Sequence, residues 1–425
     1  MVQRIYVKCP TCGKLYQIKI QLDQNIRIFD WPISFGCIDC GESLDYTYDK
    51  NGLHPQICNF QPDPPDTPIT TIGYSSSLPI TNELYMRDLN YSESILSFSP
   101  YINLTSTGRF LIKDLDQFNI FLSRMQINLL PYKGFLNSLL PIFLKGNVSA
   151  FSKKMASLFG EKEYQPLSSP SEMYDTYFEL IETVYNILIT PHYNELYHKH
   201  FVKPIDDYLN GATTTDVMRI KEKLDESGKI SDWYKKEALP YIAEIVNNIQ
   251  KFLPAMILSS VEKNDVIPRC DLKIVTISCK DATEIYSKGF ETYTHALKIV
   301  VGMNNIVENG CIDVFTNPNV GDVDTITKFA YKSGGTMLKH IENYTSIYDY
   351  LDGTMNNRVR NASSHGDSGI DYDPLTQTVK CYFDDSDRDK HYDTTLIEIC
   401  RMSYVQLLHI MEATLLARKI VKKAK

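Results

Sequence analysis

Residues 360–365 read Arg360-Asn361-Ala362-Ser363-Ser364-His365, a permanent cation followed closely by a titratable base. Such a pair offers charge stabilisation and proton transfer without a metal. The flanking pattern predicts the local fold. Upstream, Ile347, Leu351, Met355, Val359 and Ala362 recur every three or four residues, the stripe of a helix packed on one face. Downstream, Gly366 and Gly369 stop that helix, because glycine takes the left-handed conformation at a C-terminus without steric cost. Residues 369–383 then read as a hairpin, with Asp373-Pro374 opening a type I turn and 379–383 as the returning strand. A second long helix is expected from about Thr394, opened by a capping box from Thr395 to Glu398 and carrying Leu396, Ile399, Leu407, Ile410 and Met411.

Farther upstream, Asp281 and Glu284 form another capping pattern. It leads into a helix with Tyr286, Phe290, Tyr293, Leu297, Val300 and Val307 along one side. With a helix over 326–340, the motif helix and the C-terminal helix, this predicts a bundle of four or five helices. Arg360 and His365 are five residues apart, so on one continuous helix they would sit about 140° apart and could not address one phosphate together. Either the helix ends between them or the two groups act from different protomers. Arg358 stands at a workable spacing from His365 as well.

The motif and its setting resemble the HEPN superfamily, in which an Arg is followed after four to six residues by His and the residue just after the Arg is commonly Asn, as Asn361 is. The order of helix, loop, small hairpin and C-terminal helix is similar to HEPN ribonucleases of the abortive-infection, anti-phage type. The resemblance covers residues 275–425 and is strongest over 344–383. It implies a homodimer whose two motifs face each other across a cleft. It further implies that His365 takes the proton from an RNA 2′-OH and that Arg360 stabilises the phosphorane-like transition state, with Asn361 orienting the His or a phosphate oxygen. The products would be a 2′,3′-cyclic phosphate and a 5′-hydroxyl, and DNA, lacking the nucleophile, would not react. Arg358 is the second choice, as a phosphate-binding residue. A phage-encoded trigger is expected from the family analogy alone.

The other strong motif lies at the N-terminus. Cys9-Pro10-Thr11-Cys12-Gly13 and Cys37-Ile38-Asp39-Cys40-Gly41 are two knuckles, each a tight turn that aims two thiolates at one ion. Four sulfurs satisfy tetrahedral zinc and leave no open position, which points to structural rather than catalytic metal. Between the knuckles, Leu15, Gln17 and Lys19 alternate with Tyr16, Ile18 and Ile20, as in a short strand. The segment reads as a zinc ribbon. Its metal either replaces a core too small to fold alone or supports binding of RNA, DNA or a partner.

Composition sets limits. The 425 residues suffice for two or three domains, and the net charge of −8 carries no chain-wide basic field for nucleic acid. Nothing approaches the roughly twenty apolar residues of a membrane span, and residues 1–10 lack an apolar signal core. Ten cysteines without such a signal fit a reducing, cytoplasmic setting and metal binding. Six of them, Cys58, Cys270, Cys279, Cys311, Cys381 and Cys400, show no pairing pattern and read as core thiols.

Pro62, Pro64, Pro65 and Pro68 mark a semi-rigid spacer. Ser169-Pro170-Ser171-Glu172 opens a helix through Met173, Tyr177, Leu180, Val184 and Ile187, and another runs through Ile242, Ile245, Ile249 and Phe252 to Met256. His192, His198 and His200 read as surface residues of a helix, the run Asp384, Asp385, Asp387 and Asp389 as a solvated loop in preference to a cation site, and the tail cations Arg418, Lys419, Lys422, Lys423 and Lys425 as a helix end complementing its dipole in preference to an RNA contact.

The expected organisation is a zinc ribbon at 1–58, a Pro-rich linker at 59–75, a helical domain at 76–272 and a HEPN-like domain at 273–425. The fold class is mainly α, with a C-terminal HEPN-like helical bundle containing a small β-hairpin, a middle helical domain and a small N-terminal β zinc ribbon. The expected function is a metal-independent endoribonuclease of prokaryotic anti-phage defence, acting on RNA as a homodimer, with structural zinc on Cys9, Cys12, Cys37 and Cys40. The alternative is a non-catalytic zinc-ribbon scaffold that binds nucleic acid or protein through a degenerate HEPN-like dimer domain.

Overall fold

The computed structural model describes residues 2–21, 30–49, 52–55, 60–61, 70–75, 80–81, 85–87, 120, 123–129, 132–160, 165–189, 198–199, 201–260, 272–316, 323–342, 351, 353–364, 369–383 and 389–425. The fold is mainly α, with small sheets near the N-terminus and within the C-terminal third. Among the described residues the α-helices of five residues or more are, in chain order, α1 (Phe135–Leu144), α2 (Val148–Phe159), α3 (Pro170–Leu188), α4 (Lys203–Gly211), α5 (Thr214–Asp225), α6 (Leu239–Asn247), α7 (Leu253–Ser260), α8 (Cys279–Asn309), α9 (Ile326–Ala330), α10 (Gly334–Ile341), α11 (Asn357–Ser364) and α12 (Leu396–Lys423). Among the described residues no helix is long and apolar enough to cross a membrane.

The chain forms two compact units, each assembled from three separate stretches. Unit 1 comprises Met1–Ile127, Ile249–Ser287 and Arg358–Tyr404; unit 2 comprises Asn128–Asn248, Lys288–Asn357 and Val405–Lys425. Helices α8 and α12 supply residues to both.

Unit 1 begins with two antiparallel ribbons. Strands β1 (Val2–Lys8) and β2 (Leu15–Gln21) pair from Val2↔Gln21 to Lys8↔Leu15, and β3 (Trp31–Gly36) and β4 (Ser43–Asp49) pair from Trp31↔Tyr48 to Gly36↔Ser43. Tyr16, Ile18 and Ile20 are buried on one face of β2 as the alternation predicts, while on the other face Leu15 and Gln17 are half-buried and Lys19 is buried as well. Tyr16 packs edge-on against Phe35, with ring centroids 5.3 Å apart. Several strands have no counterpart in the sequence reading. β5 (Gly52–Pro55) extends the second ribbon, β6 (Phe60–Gln61) pairs with β1, and β7 (Thr70–Ser75) pairs in parallel with β2 and antiparallel with β9 (Tyr85–Arg87). A short bridge joins β8 (Ile80–Thr81) to β10 (Lys273–Ile274). The prolines of the expected spacer lie outside the described residues.

The expected hairpin is present and has a third strand. β11 (Ile370–Tyr372), β12 (Thr378–Tyr382) and β13 (His391–Thr395) form an antiparallel sheet. In its turn the Asp373 side chain accepts from Leu375 N at 2.9 Å, and Gln377 takes φ +56°. That conformation drives the Gln377 amide into the interior. There its Nε2 donates to Ile274 O at 2.7 Å and its Oε1 accepts from Ile274 N at 2.8 Å. A side chain thus completes the edge of β10 as a neighbouring strand would.

Unit 2 is helical. The Ser169 start behaves as read: its hydroxyl accepts from Glu172 N at 3.2 Å, Pro170 takes the first helical position, and the Glu172 carboxylate accepts from Ser168 N at 2.7 Å. Around this helix Phe143 stacks on Tyr177 at 4.4 Å and tilts against Tyr174 at 4.6 Å. The α8 seam is buried at Tyr286, Phe290, Tyr293, Leu297 and Val300, with Val307 only half-buried.

Some boundaries differ from expectation. The cap of α8 is Ser278, whose hydroxyl accepts from Asp281 N at 3.1 Å, so Asp281 sits in the first turn instead of starting the helix. The single helix expected through Ile242 and Met256 is broken at Asn248 (φ −107°) into α6, a 3₁₀ turn at Ile249–Phe252 and α7. The helix expected over 326–340 breaks into α9 and α10, because Ser333 caps the second piece by accepting from Thr336 N.

Candidate functional site

The two knuckles occupy the turns of the two ribbons and are built alike. In the first, Cys9 N donates to Lys14 O (2.8 Å) and Gly13 N to Cys9 O (3.0 Å); in the second, Cys37 N donates to Glu42 O (2.7 Å) and Gly41 N to Cys37 O (2.8 Å). Each closes on a glycine with positive φ, +79° at Gly13 and +77° at Gly41, where any other L-residue would be strained. The first cysteine of each knuckle is buried and the second exposed.

The four Sγ atoms lie within 4.8 Å of one another, with Cys9 to Cys40 at 3.6 Å and Cys12 to Cys37 at 3.5 Å. A tetrahedron of sulfurs about 2.3 Å from zinc has edges of about 3.8 Å, so the cluster fits a metal such as zinc. Its surroundings act on the sulfurs unequally. Tyr16 donates its hydroxyl to Cys37 Sγ at 3.0 Å and accepts from Ile38 N at 3.0 Å. Burial pushes the Cys37 thiol up, but Tyr16, the backbone at Asp39 and Cys40, and Cys12 together bring it down to about 7. The Glu42 backbone pulls Cys40 down, yet desolvation and the other three sulfurs push it up to about 12. A bound cation would offset the mutual repulsion of sulfurs this close if they ionise. Across the knuckles, Thr11 Oγ1 donates to Glu42 Oε2 at 3.0 Å and Lys14 Nζ lies 3.3 Å from Asp39.

The motif helix is shorter than its apolar stripe suggested. Gly353 takes φ +65° and Thr354 N donates back to Leu351 O at 2.8 Å, so the chain turns and α11 starts afresh at Asn357. Leu351, Met355, Val359 and Ala362 are nonetheless buried as expected; Ile347 lies outside the described residues. On α11, Arg358 and Arg360 point to different sides, as two residues on a helix must. Arg358 is exposed, with its guanidinium 5.2 Å from the centre of the Phe383 ring. Arg360 is half-buried and donates from Nη1 to Asn361 Oδ1 at 3.2 Å. Ser363 and Ser364 return their hydroxyls to the carbonyls of Val359 (2.9 Å) and Asn361 (2.7 Å). His365 lies outside the described residues, so Arg360, Asn361 and Arg358 are placed and His365 is not. Ser363 lines a cleft of 340 Å³ shared with Phe35, Ser43, Ser278, Lys280 and Tyr372.

No protein-family model, curated protein or solved structure matches the chain.

Other expected groups are placed differently. His198 is half-exposed but its Nδ1 lies 3.5 Å from the carboxylate of the buried Glu412, so it is part of a charged cluster and not a solvated helix face. His192 and His200 lie outside the described residues, as do Asp384, Asp385 and Asp387. The tail cations are engaged: Lys419 donates to Asp206 at 2.7 Å, Lys422 to Asp175 at 3.0 Å, and Lys423 to the carbonyls of Leu209 (2.6 Å) and Asn210 (2.9 Å), the last turn of α4. Cys381 and Cys400 are core thiols, Cys279 is half-buried and Cys311 is exposed. Sequence reasoning missed Glu412. A carboxylate inside the run Leu407-Leu408-His409-Ile410-Met411-Glu412-Ala413 was the available signal.

Proposed function

We propose that the chain is a metal-independent endoribonuclease that acts as a homodimer in prokaryotic anti-phage defence, in the cytoplasm and under a phage-encoded trigger. The observation that carries this reading is Arg360, half-buried and tethered to Asn361 on a helix whose described residues reach Ser364, one position before His365. His365 removes the proton from a 2′-OH, the oxygen attacks the adjacent phosphate, and Arg360 stabilises the charge that develops. Arg358, on another side of α11, serves as a further phosphate contact. The cleavage leaves a 2′,3′-cyclic phosphate and a 5′-hydroxyl. Zinc on Cys9, Cys12, Cys37 and Cys40 is structural and takes no part in the chemistry.

The test is RNA incubated with the purified chain in excess EDTA, comparing wild type with Arg360→Ala and His365→Ala. Cleavage by wild type alone supports the enzyme, as does a 2′,3′-cyclic phosphate terminus. A parallel incubation in which zinc is supplied and free divalent ions are removed controls for loss of the ribbon. Equal inactivity of all three with RNA still bound favours the scaffold.

A further inference from the structure

Unit 2 contains a second polar site, unrelated to the motif helix. It is a cleft of 470 Å³ between α3 and α12, closed at one side by His198 and α4. Its floor is Glu412, a fully buried carboxylate. Tyr185 donates its hydroxyl to Glu412 Oε1, and His198 and His409 present Nδ1 at 3.5 Å and 3.8 Å. A carboxylate buried this deeply persists only with such partners. Burial pushes Glu412 up, but His198, His409 and Tyr185 outweigh it and hold it down at about 2, while Glu412 in turn raises His198. An imidazole whose Nδ1 faces a carboxylate is fixed in tautomer and ring orientation. Its Nε2 is then the atom left for a ligand.

The other end of the cleft holds Arg418, Lys419 and Lys422 beside Asp175 and Asp206, a local excess of one positive charge. Arg418 pairs with Asp175, and its guanidinium sits 5.4 Å from the Phe178 ring and 5.9 Å from the Tyr174 ring, which immobilises it. Lys422 binds the same Asp175 oxygen, so two cations share one carboxylate, and Lys419 is on Asp206. An arginine carries five donors and a lysine three, and these contacts use only a fraction of them. Glu412 and Arg418 are six residues apart on one helix, about 9 Å along its axis.

We propose that this cleft binds a phosphorylated small molecule, with the phosphate on Arg418, Lys419 and Lys422 and a polar body reaching His198. Three cations within one helical turn suit the three oxygens of a phosphate monoester, and the 9 Å run suits a phosphosugar or mononucleotide. The exposed Glu179 and Glu182 also line the cleft and repel a polyanion more strongly than a single phosphate, which favours the small ligand over RNA.

The test is titration calorimetry of the full chain with ribose 5-phosphate, ribose and inorganic phosphate near pH 6. Ribose 5-phosphate is expected to bind at least tenfold more tightly than inorganic phosphate, and ribose not detectably. Lys419→Gln with Lys422→Gln, both at the solvent edge, should weaken ribose 5-phosphate tenfold or more while leaving the helical circular dichroism intact. His198→Gln should erase the advantage of ribose 5-phosphate over inorganic phosphate. The proposal is overturned if wild type binds neither phosphate, if the two bind equally, or if the lysine pair instead weakens an RNA oligonucleotide.

Discussion

In the ribbon, the converging polar atoms are four sulfurs within 4.8 Å of one another, two buried and two exposed, held by two knuckles of identical backbone pattern. In the helical unit a buried carboxylate, two imidazoles and a phenol meet, with Glu412 and His409 on α12, Tyr185 on α3 and His198 just before α4. The first region has an apolar core of its own, with Tyr16, Ile18, Ile20, Ile33 and Phe35 buried, and adds one metal-sized point at its turns; the second buries a charge within a larger helical core. Small sheets need a staple, whereas large helical cores carry polar sites as passengers.

The comparison breaks most sharply at the cysteines. Cys37→Ser removes one of the four converging thiols and the partner of Tyr16, and is expected to abolish zinc binding. Metal analysis should fall from one zinc per chain to none, with strand signal lost and helical signal kept. If the helices melt too, the two regions do not differ in the way described.

Much of the ribbon was legible because its determinants are local: each knuckle lies within six residues, and the alternation of β2 needs no distant partner. The capped starts of α3 and α12 were legible for the same reason, with Thr395 accepting from Glu398 N as the sequence spelled out. What escaped was set at long range. β7 is a strand only because β2 lies beside it, and Glu412 is tolerable only because Tyr185 and His198 arrive from elsewhere. The stripe through Leu351 and Val359 was right about burial and wrong about continuity, since Gly353 turns the chain without interrupting the apolar spacing.

At Glu412 the helical unit should respond by a smaller amount. Glu412→Ala leaves His198 and Tyr185 without their acceptor and is expected to cost about 3–5 kcal/mol in urea unfolding followed by helical signal. Glu412→Gln, which keeps an acceptor for Tyr185, should cost less. The pH dependence follows from the two shifts. Glu412, held near 2 against an ordinary 4.5, contributes stability above pH 4.5 that is lost as pH falls toward 2; His198, raised above 6.5, contributes stability below pH 6.5 that is lost as pH rises through its folded value. Unit 2 should therefore be most stable between those limits, and His198→Gln should flatten the alkaline limb.

Smaller effects test the joints between elements. Gln377→Leu strands the N–H and C=O of Ile274 and should cost about 1–3 kcal/mol, read as faster amide exchange at Ile274. Gly353→Ala forces a Cβ into a left-handed position and should cost about 1 kcal/mol, the least of the series.

The Gln377 clasp on Ile274 joins residues 103 positions apart, and unit 1 draws on the chain as far as Tyr404. During synthesis the two knuckles emerge within the first 42 residues and can take up metal at once, while the clasp must wait for the third quarter of the chain to be long past. Contacts of such separation are slow to form and leave strand edges uncovered meanwhile. On the ribosome, therefore, the ribbon is an early island, and β10 is an open edge that stays adhesive until residue 377 arrives to cover it.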